Sequence, residues 1–172
     1  MNNRVLFFKR AILNLFSIIF LVFLDQFSKM QAFRYLKDAT SIPLISGVLE
    51  LRYLENRGAA FGIFQNRMLF FYIATFIVLA AIFYVFLRLP YSNKYLLLNF
   101  LLVLITAGAI GNLIDRVRQN YVVDFIYASF IDFPIFNVAD IYVTTGTTLL
   151  VISVLFYYHD EDFDFLKADK SS

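Results

Sequence analysis

Three long runs without a charged residue set the strongest limit on what this chain can fold into. They cover Leu69–Leu87, Tyr95–Ile114 and Ile141–Tyr158, with 19, 20 and 18 residues. Each is close to the roughly 20 residues with which an α-helix crosses about 30 Å of hydrocarbon. The chain is also 60% hydrophobic, whereas soluble domains average about 45–50% apolar residues. The runs therefore predict a polytopic membrane protein.

A fourth span is predicted near the N-terminus, although charges interrupt it. Ala11–Leu24 is free of charge over 14 residues, and Asp25 and Lys29 follow. The preceding stretch MNNRVLFFKR resembles the basic region of a signal peptide, but no small-x-small cleavage site follows, so we expect a retained helix. The four predicted spans are about 11–33, 68–88, 95–115 and 137–158, within one membrane domain covering 1–158.

The Lys and Arg residues of the short segments predict an orientation. Basic residues precede span one, flank the turn between spans two and three, and follow span four: Arg4, Lys9, Arg10, Arg88, Lys94, Lys167 and Lys170. Four spans place all of them on one side, which is predicted to be the cytoplasm, together with both termini. The segment 159–172 is predicted to be a flexible cytoplasmic tail.

The segment between spans one and two is predicted to hold a strand on the opposite side of the membrane. In VLELRYLE, apolar Leu49, Leu51 and Tyr53 alternate with charged residues, and a period of two is typical of a strand with one wet face. The outer β region is predicted at about 42–64, with 48–62 as a lid or cradle. The predicted turn points are Gly47, Gly58 and Gly62. The predicted fold is an all-α polytopic protein with four transmembrane helices, a small extracytoplasmic β-sheet and an extracytoplasmic loop or short helix.

Polar residues of the spans collect near the outer ends of three helices. Ionisable groups at the edge of hydrocarbon are costly and usually face a bundle interior or cavity. Asp25 and Lys29 have the i,i+4 spacing of a helical ion pair. Asp115 is expected to pair with a cation beside it in the chain, Arg116 or Arg118, and Asp132 is expected to be solvated.

Asp124, in the predicted outer loop, and Asp140 remain without a local cation. Two carboxylates at the same depth can share a proton, because like charges about 3 Å apart do not both ionise easily. Such a pair holds one acid and one base, which suits attack of water on an amide. A simpler interpretation makes Asp140 a first-turn helix acid and Asp124 a surface residue.

Structural interpretations also exist for the other polar residues. Asp25 and Lys29 can form an ion pair that only stabilises the bundle. Asn112 can be a hydrogen-bonding residue between helices, with Gly108 and Gly111 beside it as close-packing small residues. The many Phe and Tyr residues are typical of lipid-facing surfaces.

Composition excludes several kinds of site. The chain contains no cysteine, so disulfides, thiol catalysis and Cys-based zinc sites are excluded. A single histidine, His159, leaves little scope for a His-based triad or metal site. The net charge of +2 provides no broad basic face for nucleic acid. We therefore expect no metal, no cofactor and no nucleic-acid partner.

Five sequence blocks resemble the lipoprotein signal peptidase family, signal peptidase II, of bacterial membrane aspartyl proteases. They are DQFSK at Asp25–Lys29, NRGAAFG at Asn56–Gly62, AGAIGNLIDR at Ala107–Arg116, VVDF at Val122–Phe125 and FNVAD at Phe136–Asp140. With the four spans, the resemblance covers roughly residues 10–158. The third block usually starts Gly-Gly, and Ala107 takes the first place here.

The resemblance implies a catalytic dyad of Asp124 and Asp140. It also implies substrate-binding or supporting roles for Asp25, Lys29, Asn56, Gly58, Asn112, Arg116, Asn137 and Ala139. The family's substrates are diacylglyceryl-modified prolipoproteins, cut just before the lipidated cysteine, and globomycin-type cyclic peptides block it. The implied location is the bacterial inner membrane, among its phospholipids, with the site near the outer face.

Two other classes remain as alternatives. A small transporter or ion-coupled subunit would use buried acids as a relay, but it would need polar residues through the membrane thickness, and here they collect at one level. A presenilin-type protease would carry a GxGD signature, which this sequence lacks.

Overall fold

The computed structural model describes residues 3–58 and 67–167, and four long helices dominate it. They are α1 (Asn3–Leu36), α2 (Met68–Arg88), α3 (Leu96–Gln119) and α4 (Val138–Phe156). All four are long and apolar enough to cross a membrane, which confirms the predicted helical membrane fold. Helices suit this environment because they satisfy every backbone N–H and C=O group internally.

Helix α1 is longer than its predicted span. Its 34 residues correspond to about 50 Å, more than the roughly 30 Å of hydrocarbon. Asp25 and Lys29 do not end the helix, because both side chains are buried against other helices and paired there. The apolar run alone therefore gave too short a span.

Helix α3 is the centre of the bundle. Half of its most apolar window is buried, against 6% for α1 and α2 and 17% for α4, and each of the other three helices packs against it. The closest approach is between α3 and α4. A Cβ atom added at Gly108 would lie 2.5 Å from the Ala139 carbonyl oxygen, and one at Gly146 would lie 2.8 Å from Ile105. The packing role considered for Gly108 is thus what the structure contains.

A three-stranded antiparallel sheet lies at one end of the bundle. The strands are β1 (Ile42–Ile45), β2 (Leu49–Asn56) and β3 (Val122–Tyr127), in the order β1-β2-β3. Gly47 turns the chain between β1 and β2 with a φ of +70°, a conformation that glycine adopts without strain. Residues 59–64 of the predicted β region, including Gly62, lie outside the described residues.

The position of Asp124 differs from the sequence-based expectation. It was placed in a loop, but it lies in β3, opposite Leu54 of β2. The four residues Val122–Phe125 are all buried, so this strand shows no alternation between wet and dry faces. Without that alternation, the stretch did not have the pattern of a half-exposed strand.

A buried ion cluster joins α1 to α3. The Lys29 ammonium lies 2.9 Å from Asp25 Oδ2 and 3.1 Å from Asp115 Oδ2. The partner expected for Asp115, Arg116 or Arg118, is therefore wrong, because neighbours in a helix point about 100° apart. Gln26 Nε2 donates to both carboxylates. Asp25 also reaches α4, since its Oδ1 accepts from the Ala139 N–H at 2.9 Å.

The segment after α4 differs from the expected flexible tail. Residues Asp160–Leu166 form a 3-10 helix that packs against the nearby ends of α2 and α3. Lys94 forms an ion pair with Asp162, and the Tyr84 hydroxyl donates to the Leu166 carbonyl. Phe163 and Phe165 pack among the aromatic rings of Tyr95 and Tyr158, which explains the order:.

We expect Gly108→Ala to destabilise the protein. The added methyl group meets the α4 backbone at Ala139, and overpacking of this kind costs about 1–3 kcal/mol. Ala81→Val is a matched control, because it adds bulk on the exposed face of α2. Thermal unfolding in detergent measures both, and equal melting temperatures for the two variants would contradict the close packing of α3 and α4.

We expect Lys29→Met to be more damaging than the same change at Lys37. Lys29 is 3% exposed between two carboxylates, and breaking a buried pair typically costs about 3–5 kcal/mol. Lys37 is 42% exposed and 3.8 Å from Glu55, a kind of pair worth about 0–1 kcal/mol. The same melting experiment compares them, and similar losses would show that the buried cluster does not hold α1.

Candidate active site

A cavity of about 500 Å³ opens between α2, α3, α4 and the end of the sheet. Six residues singled out from the sequence line it: Asn56, Gly58, Asn112, Arg116, Asp124 and Asp140. They come from β2 and its following turn, from α3, from β3 and from α4. The remaining walls are mostly apolar, with Phe71, Phe133 and Pro134 among them. Within the described residues, no group of His, Asp and Glu has the arrangement needed to hold a metal ion.

Asp124 is almost completely buried at the base of this cavity, with 1% of its surface exposed. Asn56 Nδ2 donates to its Oδ2 at 2.8 Å, and Asn137 Nδ2 donates to its Oδ1 at 2.7 Å. Burial raises the pKa of Asp124 to about 7, and the negative charge of Asp140 adds to this effect. The two amide hydrogen bonds oppose the rise, because they stabilise the ionised form.

Asp140 occupies the first turn of α4, where it also caps the helix. Its Oδ2 accepts from the Asn137 backbone N–H at 3.1 Å, and the Asn137 side chain accepts from the Asp140 N–H at 3.0 Å. This capping box satisfies two otherwise unpaired N–H groups. The other oxygen, Oδ1, accepts from Asn112 Nδ2 at 2.8 Å. The simpler first-turn interpretation of Asp140 therefore holds, and the same carboxylate still faces the cavity.

Asn137 and Asn112 tie the two acids to the buried ion cluster. Asn137 is 0% exposed and contacts Asp124 through its amide and Asp140 through its backbone. Asn112 Oδ1 accepts from Lys29 Nζ at 2.9 Å, while its Nδ2 donates to Asp140. Asparagine bridges thus connect the acids. No direct hydrogen bond joins the two carboxylates in the part of the chain that the structure describes.

Arg116 brings the positive charge of the cavity. Its guanidinium lies 4.4 Å from the centre of the Phe71 ring, a cation–π distance. Nη1 donates to the Asn112 carbonyl at 3.4 Å and Nη2 to the Gly58 carbonyl at 3.5 Å. The Gly58 N–H donates in turn to Asn56 Oδ1 at 2.9 Å. The cation is therefore held beside the two acids without forming an ion pair with either.

The other residues singled out from the sequence lie around the cavity rather than in it. Asp25 and Lys29 belong to the buried ion cluster, one hydrogen bond away from Asn112 and from Ala139. Asp132 is exposed and accepts from the Tyr127 hydroxyl at 2.6 Å. The proposed lid segment 48–62 lies only partly within the described residues.

Sequence reasoning missed Gln26 and the apolar walls. Gln26 lies inside the DQFSK block and links Asp25 to Asp115, so its neighbours in that block were the available signal. Phe71, Phe133 and Thr144 line the cavity, yet a Phe or Thr in an apolar span has no local feature that separates it from a lipid-facing residue.

Comparisons with known proteins agree with this architecture. Residues 17–156 match the profile of the family described as Signal peptidase (SPase) II. A lipoprotein signal peptidase of Caldanaerobacter subterraneus subsp. tengcongensis is 48% identical over 138 residues, covering 80% of this chain and 92% of the relative. One of Streptococcus pyogenes serotype M5 is 42% identical over 147 residues, covering 86% and 93%.

Two solved structures, each described as a bacterial membrane enzyme, have the same fold. One is 35% identical with a TM-score of 0.76, covering 92% of this chain and 93% of its own. The other is 37% identical with a TM-score of 0.74, covering 84% and 94%. The chain therefore belongs to the signal peptidase II family, and its four-helix bundle is that of a multi-pass membrane protease.

Proposed function

We propose that this protein is an aspartic endopeptidase that removes the signal peptide from diacylglyceryl-modified prolipoproteins by cutting just before the lipidated cysteine. The observation that carries the proposal is the placement of Asp124 and Asp140 on one cavity, each held by an asparagine. The names of the relatives, lipoprotein signal peptidases, support the substrate class.

The two acids have different environments, which assigns them different roles. Asp124 is buried, and its raised pKa of about 7 keeps it protonated at or below neutral pH, so it donates to the scissile carbonyl oxygen. Asp140 lies at the N-terminus of α4, where the helix dipole favours a negative charge, so it accepts a proton from the attacking water. Like charges close together favour such a division between one acid and one base.

The reaction then needs no covalent intermediate with the enzyme. Water adds to the carbonyl carbon while Asp140 takes its proton and Asp124 protonates the carbonyl oxygen, giving a tetrahedral diol. Asp140 then passes its proton to the leaving amide nitrogen, and Asp124 recovers a proton as the carbonyl reforms and the C–N bond breaks. Both carboxyl groups end as they began.

The rest of the cavity suits a lipid-anchored peptide. Phe71 on α2 and Thr144 on α4 belong to its walls, so the cavity continues along the membrane-spanning helices. A substrate with acyl chains in the bilayer can then arrive laterally, with its scissile bond at the level of the acids. Arg116 and Asn112 offer hydrogen-bond donors to the peptide backbone. A globomycin-type cyclic peptide would block the enzyme by filling the same cavity.

The proposed location is the bacterial inner membrane, with both termini in the cytoplasm and the active site near the outer face. The basic residues at the opposite end of the bundle from the sheet support this orientation, including Arg10, Arg88 and Lys94.

We expect Asp124→Asn and Asp140→Asn each to abolish cleavage, because either change removes one half of the acid and base pair. Rate losses of at least about 10³-fold are typical of an essential proton-transfer group. The measurement is cleavage of a diacylated lipobox peptide by the purified enzyme in detergent, with thermal unfolding as a check on folding.

Asp132→Asn is the matched control for both substitutions. Asp132 is exposed and contacts only the Tyr127 hydroxyl among the described residues, so its variant should cleave at nearly the wild-type rate. Normal cleavage by either dyad variant would contradict the proposed mechanism.

We expect kcat/KM to fall as the pH rises through about 7, the pKa of Asp124. Above that pH the acid loses its proton, so the rate should decline about tenfold per pH unit. Asn56 donates to the ionised form, so Asn56→Leu should raise the pKa further and move this decline to higher pH.

Tyr127→Phe provides the control for the pH profile, because Tyr127 contacts Asp132 rather than the dyad. Its profile should overlay that of the wild type. A rate that stays constant between about pH 6 and 9, or an Asn56→Leu profile that does not move, would show that Asp124 is not the acid.

A further inference from the structure

A second cavity, of about 390 Å³, lies between α1 and α3 at the same end of the bundle as the sheet. Its apolar wall is formed on α1 by Phe23, Phe27, Met30 and Phe33. These residues are spaced by three and four positions, so they share one face of the helix. None of them lines the candidate active site.

The apolar wall has the length of the upper part of a lipid chain. From Phe23 to Phe33 the helix rises about 15 Å, half of the roughly 30 Å of hydrocarbon. Phe23, Phe27 and Met30 are 60%, 45% and 55% exposed, so the wall is open to the bilayer. The volume accommodates about a dozen water-sized groups.

The mouth of this cavity carries one cation. Arg118 lies in the last turn of α3, and it makes neither an ion pair nor a hydrogen bond with another described residue. The charge faces the interface above the apolar wall. An anion bound there would therefore pair with Arg118 while an attached chain covers the phenylalanines.

The floor of the cavity offers no partner for a positive headgroup. Asp115 is the single acid among the described lining residues. Its oxygens already accept from Lys29, from Gln26 and from the Val123 N–H. Since no free carboxylate remains to receive an ammonium, the cavity favours a lipid whose headgroup is anionic over one that is zwitterionic.

We propose that this crevice is a binding site for an anionic phospholipid. Its phosphodiester pairs with the Arg118 guanidinium, and one acyl chain runs along Phe27 and Phe23. The site lies in the leaflet on the side of the sheet, and it is independent of the proposed peptidase chemistry. The polar floor of Gln26, Lys29 and Asp115 distinguishes it from an ordinary lipid-facing helix surface.

The test uses the absence of tryptophan from the chain. Met30→Trp places a single fluorophore in the wall of the crevice. The full-length variant is reconstituted in vesicles containing phosphatidylglycerol and phosphatidylethanolamine, with bromine on the acyl chains of one lipid at a time. Bromine quenches a fluorophore that it contacts, so the quenching by each lipid gives its relative affinity for the crevice.

We expect about a fivefold preference for phosphatidylglycerol, the value of one favourable phosphate–cation contact at a membrane surface. Adding Arg118→Gln to Met30→Trp should abolish the preference. Adding Arg34→Gln instead should leave it unchanged. Arg34 is a matched control because it is an exposed arginine in the last turn of α1, at the same end of the bundle.

Three results would overturn the proposal. Equal quenching by the two lipids would mean that the crevice holds ordinary bilayer lipid. Equal loss of preference with Arg118→Gln and Arg34→Gln would mean a general surface charge effect. Relief of quenching by soluble glycerol phosphate would mean that the ligand is a free phosphate rather than a lipid.

Discussion

The Lys29 ammonium is the interaction on which the rest of this structure depends. It contacts Asp25, Asp115 and Asn112 within 3.1 Å, in a region where an unpaired charge would be costly. Asp25 passes the connection to α4 through the Ala139 N–H. Three helices thus meet around one cation. Their relative positions decide where the two cavity acids stand.

Stability and the proposed chemistry share the same groups. The capping box that begins α4 also orients the Asp140 carboxylate, and the Asn137 side chain that completes it holds Asp124. A change at Asn137 would therefore alter the helix terminus and both acids together. Because the acids are held by hydrogen bonds to asparagines and not by ion pairs, burial can raise the pKa of Asp124, as a general acid requires.

Two sides of α3 present different surfaces to the bilayer. One side carries Asn112 and Arg116 in the candidate active site, and another carries Arg118 above an apolar crevice. The central position of α3 makes this possible, since the helix is buried along half of its most apolar window yet ends at the level of the sheet. Asp115 lies between these surfaces and is occupied by Lys29.

The sequence by itself determined the four helices, because each charge-free run is long enough to need an internally bonded helix in hydrocarbon. It also determined the Asp25–Lys29 pair and the candidate acids, because spacing and motif order act along the chain. Tertiary structure alone decided that Lys29 serves Asp115, that Asp124 lies in a buried strand, and that 160–166 packs on the bundle. These are contacts between residues distant in sequence, and no local pattern encodes the direction in which a side chain meets another helix.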